Sequence, residues 1–147
     1  MRGRMIGRID VKPVFWTLLG VTLLASPALA EQEKIDCDNA ITTHDMIFCA
    51  GGDFQEADAA LNTTYREAMR RAEAIDREAN ETDIAVPGAV KSLRSGQRGW
   101  IAYRDGQCTA VAYGALGGTI APLLDIGCQT GLTQKRTEEL KALFNPE

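Results

Sequence analysis

Between Leu93 and Val111, the residues Leu93, Gln97, Trp100, Arg104, Cys108 and Val111 recur at helical spacing and share one face. The Leu, Trp, Cys and Val on that stripe mark it as an inward face. Its Gln and Arg cannot be buried there without polar partners, because the amide and guanidinium would otherwise lose their hydration uncompensated. Any fold for this chain must therefore bring polar groups from another element to the levels of Gln97 and Arg104.

The rest of the chain also reads as helices. Thr42 or Thr43 caps a short helix through Cys49, and Ala50-Gly51-Gly52 is expected to stop it. Asp53 opens a long second helix with Glu56 in capping-box position. Phe54, Ala57, Leu61, Tyr65, Ala68 and Ala72 keep its period, and it ends near Ala79. Pro87-Gly88 marks a turn, and a third helix runs from Pro87–Ala89 to Tyr113. Gly114 to Gly118 breaks the chain. Thr119 is the expected cap of a fourth helix, with Pro122 tolerated in its first turn. No stretch alternates with period two long enough to make a strand. The prediction is all-α: a small disulfide-stapled helical bundle, with one short helix plus three longer antiparallel helices.

The first thirty residues are set apart. Arg2, Arg4, Arg8 and Lys12 precede an apolar run from Val14 to Ala25, and Ala28-Leu29-Ala30 is an A-x-A cleavage site. Residues 1–30 therefore read as a cleaved secretory signal peptide, and 31–147 as a single domain. No Arg-Arg pair marks a twin-arginine signal, and no Cys follows the apolar run at the cleavage point. The product is expected to be soluble, periplasmic or secreted, not a lipoprotein, and without a membrane segment after cleavage.

Cleavage changes the charge. The full chain has 16 Lys+Arg and 20 Asp+Glu; residues 1–30 hold four bases and one acid, which leaves 12 bases against 19 acids. Such a surface repels nucleic acid and favours a cationic macromolecule. Cys37, Cys49, Cys108 and Cys128 all lie in the exported part, where an even count in an oxidising compartment predicts two disulfides. Their spacing, with a single His in the chain, does not fit a zinc site. Cys108 and Cys128 straddle the Gly114–Gly118 break, and Cys37 and Cys49 straddle the first helix, so the expected pairs are Cys37–Cys49 and Cys108–Cys128.

If the second and third helices form a hairpin about residues 83–84, Asp58 and Asn62 come within a turn of Arg104, and Tyr65 lies near Trp100. The expected result is a structural polar cluster of Asp58, Asn62, Gln97 and Arg104 around Trp100 and Tyr65, which sets helix register.

No catalytic, cofactor or metal constellation is legible. His44 is the only His, and it and Asp45 are expected to point apart on a helix. Arg104 with Asp58 reads as a structural ion pair rather than an anion site. Gly117-Gly118 before Thr119 reads as a turn. Asn62-Thr63-Thr64 and Asn80-Glu81-Thr82 match the glycosylation sequon, but the first is expected to face the core.

Taken in order, Cys37, Cys49, Asp58-Ala59-Ala60-Leu61-Asn62-Thr63-Thr64-Tyr65, Leu93, Gln97, Trp100, Arg104-Asp105, Cys108, Cys128 and Thr133-Gln134-Lys135-Arg136 form a recognisable series. The chain resembles the LprI-like lysozyme-inhibitor family of small secreted bacterial helical domains. The resemblance implies a non-enzymatic inhibitor that occludes the cleft of lysozyme, a cationic hydrolase. It names no inhibitory loop. The acidic turn Glu81–Pro87 and the Gly114–Thr119 loop are the candidate edges. The alternatives are a periplasmic interaction module with another envelope partner, or a carrier of a small ligand between the helices.

Overall fold

The computed structural model describes residues 35–82 and 88–144. The signal-peptide reading of residues 1–30 lies outside them, as does most of the Glu81–Pro87 turn. A short 3-10 turn at Cys37–Asn39 leads into three α-helices: α1 (Thr43–Glu81), α2 (Ala89–Tyr113) and α3 (Ala121–Ala142). Among the described residues there is no strand.

The separate short helix does not exist. Thr42 caps α1, its hydroxyl accepting from the Asp45 amide at 3.1 Å, and the helix then runs unbroken for 39 residues through Ala50-Gly51-Gly52. Gly51 and Gly52 take no positive φ. Each glycine costs a helix about 1 kcal/mol against alanine. Breaking the helix and nucleating a second at Asp53 would cost more, on the order of 4 kcal/mol. The ladder therefore continues, and Asp53 is an interior residue rather than a cap.

The start of α2 is capped from outside. Gly88 has a φ of 93° and no side chain to offer. Asp76 on α1 supplies the acceptor instead, taking the amides of Ala89 at 2.5 Å and Val90 at 3.1 Å. A carboxylate there also opposes the positive end of the helix dipole. The contact holds α1 and α2 in antiparallel register just where the chain reverses. α3 begins at Ala121 behind Ile120, with no side-chain cap; Thr119 does not fill that role.

α3 lies parallel to α1 and shares with it the widest interface in the bundle, wider than the α1–α2 contact. The core sits at this join. Leu61, Ala68 and Ala72 of α1, Leu93 of α2 and Leu140 of α3 are buried together. Tyr65, Met69, Val90, Trp100 and Phe144 pack against them, half-buried. The alanines of α1 let α3 approach closely. Toward the other end the α2 stripe turns outward, and Val111 is exposed.

Candidate functional site

Arg104 holds the polar level nearest the disulfides. Its guanidinium lies 3.8 Å from Asp58 on α1, 2.8 Å from its neighbour Asp105, and 3.5 Å from the Thr133 hydroxyl on α3. It also stacks over the Trp100 ring at 5.2 Å and the Phe54 ring at 5.4 Å. Two aromatic faces and two carboxylates account for a cation only 12% exposed. Asn62 does not reach Arg104. It is exposed and donates to Asp58 at 2.7 Å, thereby orienting that carboxylate. The expectation that the Asn62 sequon faces the core is thus overturned.

Gln97 belongs to a different level. It is buried, and its side-chain oxygen accepts from Arg136 Nε on α3 at 3.1 Å. Arg136 is held from its other side by Glu139 at 3.0 Å. The seven residues from Gln97 to Arg104 span about 10 Å of helix axis, too far for one set of side chains to serve both. The single cluster expected from the hairpin is therefore two layers: Asp58, Asn62 and Arg104 in one, Gln97 and Arg136 in the other. Trp100 lies between them and, with Tyr65, packs on the core.

Sequence reasoning missed the α3 side of both layers. Thr133 is fully buried, and its carbonyl accepts from the Thr137 hydroxyl at 3.0 Å. Thr133, Arg136 and Thr137 stand at helical spacing, which was the available signal. Hairpin arithmetic between consecutive helices cannot see a parallel third partner.

Cys37 is bonded to Cys49 and Cys108 to Cys128, and there is no free cysteine. The first bridge ties the 3-10 turn to α1; the second ties α2 to α3. His44 is solvent-exposed. Its Nδ1 lies 3.3 Å from Asp45, so these neighbours meet in the first turn rather than diverging. Hydrogen bonds from the Thr42 hydroxyl and from His44 hold the Asp45 carboxyl below its usual range. Gly117 has a φ of 82°, a conformation glycine adopts without strain, and the Gly118 amide donates to Ala115 at 2.9 Å. That turn has no spare donor at Gly118 for an anion. Between the helices, Ala89, Leu93, Gly96 and Phe144 line an apolar groove of about 310 Å³ that opens to solvent. Among the described residues, no helix is long and apolar enough to cross a membrane.

These features define a small helical domain, stapled by two disulfides, whose buried polar residues lock the register of its helices. The profile of the family described as lysozyme inhibitor LprI matches residues 36–140, and the chain belongs to that family. An uncharacterised protein of Rhizobium meliloti (strain 1021) is 45% identical over 119 residues, covering 81% of this chain and 86% of its own length. No solved structure matches the chain significantly.

Proposed function

We propose that the protein is an exported inhibitor of lysozyme that acts by binding the enzyme and covering its cleft, without chemistry of its own. The observation that carries this reading is membership of the lysozyme-inhibitor family across residues 36–140. The acidic surplus supports it, since an anionic inhibitor and a cationic enzyme steer one another into encounter. Export supports it too. Two disulfides suit an oxidising compartment, and the basic, apolar and A-x-A series in residues 1–30 suits removal of a signal peptide. Released in this way, the domain meets the hydrolase outside the cytoplasm, where the bacterial wall needs protection.

Cleft occlusion needs a projecting edge, and the Gly114–Thr119 loop suits that role. Leu116 at its apex is 77% exposed, and Gly117 sets the reversal. The test is lysozyme turnover on cell-wall substrate with the purified, oxidised protein in micromolar excess, across several lysozyme types. Inhibition that saturates with the protein is expected. Undiminished turnover with every lysozyme would end the reading.

A further inference from the structure

The exposed apolar side chains are not scattered evenly. The Asp58–Arg104–Thr133 level divides the bundle into a core end and a disulfide end. On the disulfide side, Phe48 is ten residues along α1 from Asp58 and Tyr113 nine along α2 from Arg104. Leu124 is nine along α3 from Thr133. At 1.5 Å per residue, all three stand about 14 Å beyond the polar level, in the same direction. Phe48 is 60% exposed and Tyr113 64%, and Leu124 is exposed as well. Ile41, Leu116 and Ile120 lie farther out in the flanking connections and are also exposed. Beyond the polar level, the buried residues among those described are Ala57 and Cys108. This end leaves Phe48, Tyr113, Leu116 and Ile120 largely in water while Ile47, Phe54, Leu123, Ile126 and Leu132 are only half-buried, and both disulfides help to hold its shape.

The charges divide in the same way. From Ile35 to Tyr65 the chain carries Asp36, Asp38, Asp45, Asp53, Glu56 and Asp58 and no Lys or Arg. From Gly99 to Gln134 it adds Asp105 and Asp125 against a single base, the nearly covered Arg104. The described residues of the core end, 66–82, 88–98 and 135–144, hold ten Lys and Arg against seven acids. Among the described residues the charge is therefore divided between the two ends, and eight of the twelve exposed large apolar side chains lie at the anionic one; Ile75, Ile101, Tyr103 and Leu143 lie on the other side.

We propose that the disulfide end is the docking surface for a cationic hydrolase. Phe48, Tyr113 and Leu116 enter an apolar-lined depression of the partner, and the carboxylates around them pair with its Lys and Arg. The inference rests on the lysozyme reading for the identity of the partner, and on the coincidence of apolar exposure and negative charge for the place. Exposed apolar groups gathered at one end of a molecule, with charged neighbours, are a common mark of a protein contact. A second copy of the chain is disfavoured as the occupant, because two such poles repel. Bridged segments lose little freedom on docking, so the disulfides also lower the cost of ordering the surface.

The experiment measures binding to immobilised cationic lysozyme and, in parallel, lysozyme turnover. Tyr113→Ser with Leu116→Ser removes apolar groups that are exposed in the free protein. Asp53→Lys with Glu56→Lys reverses charge at the same end. Ile75→Ser with Leu143→Ser makes the matching change at the core end. Circular dichroism checks that each variant is folded. Both disulfide-end variants are expected to bind about tenfold more weakly or worse, and the core-end variant like the unaltered protein. Equal binding by all of them overturns the surface and leaves the inhibitor reading standing. Binding that depends on Tyr113 and Leu116 without slowing turnover upholds the surface and ends the inhibitor reading. Absence of binding to every lysozyme overturns both. Self-association that the Tyr113 and Leu116 changes abolish overturns the surface alone, since its occupant is then a second copy.

Discussion

Arg136 of α3 donates through Nε to the side-chain oxygen of Gln97 on α2 at 3.1 Å, across a join where Gln97 is only 8% exposed. The contact resolves the problem posed by a glutamine on an apolar stripe. Its amide oxygen meets a cation, and that cation is held in turn by Glu139. Gln97→Ala leaves the guanidinium without its inner acceptor and opens a small void beside Leu93. A hydrogen bond to a charged group is worth about 1.5–3 kcal/mol. Chemical denaturation should show a loss of that size with an unchanged slope.

Arg104→Met tests the other layer. Methionine keeps much of the volume but abandons Asp58 and Asp105 and the two aromatic rings. Both carboxylates are half-exposed and water can recover them, so the cost is about 1–3 kcal/mol rather than that of a stranded buried charge. The melting temperature should fall, and the near-UV dichroism of Trp100 should change as its stacked cation disappears. If both stay the same, the layer is not structural.

The two disulfides should differ in what they protect. Cys37–Cys49 closes a short loop at the periphery, away from the core of Leu61, Ala72, Leu93 and Leu140. Replacing both of its cysteines by serine should cost at most about 3 kcal/mol on the loop-entropy model and leave the helix content nearly intact. Lysozyme binding should fall by more than the stability loss explains, because Ile41 and Phe48 flank the bridge. Thermal melts and binding of the same double variant, measured side by side, check this.

Acid should weaken the disulfide end late. The Asn39 side chain and the Asp38 amide hold the Asp36 carboxyl below its usual range, and the Thr42 hydroxyl and His44 do the same for Asp45. A carboxyl whose folded pKa is lowered stabilises fully above its unfolded pKa, near 4. It gives that stability up as pH falls through the lower folded value. Stability and lysozyme binding should therefore be flat from about pH 7 to 5 and decline below about 4. A decline already under way at about pH 6 would contradict this.

Much of this architecture was legible before the structure. α2 announced itself by its stripe, and Cys108–Cys128 by the break it straddles; Cys37–Cys49 is the expected pair, but Cys49 lies inside α1 and not at the end of a separate short helix. The meeting of Arg104 with Asp58 followed, to within a turn, from equal rise along a hairpin, while Asn62, expected beside it, reaches only Asp58. Two things were hidden for physical reasons. Gly51 and Gly52 look like a helix stop, but tolerating them costs less than a new nucleus, so two expected helices are one. Thr133 and Arg136 were hidden because α3 packs parallel to α1, a contact between helices that are not consecutive. The apolar exposure at the disulfide end could not be read from sequence, although the charge run there could. Phe48, Tyr113 and Leu124 look like core residues until the structure shows them exposed.

Amide hydrogen exchange on the complex with a cationic lysozyme locates the contact on the protein without altering it. Docking at the disulfide end brings new protection to residues 41–49 and 111–124 and leaves the core-end segments 66–82 and 88–98 unchanged. Protection confined to the core-end segments, or none in either region, would contradict it.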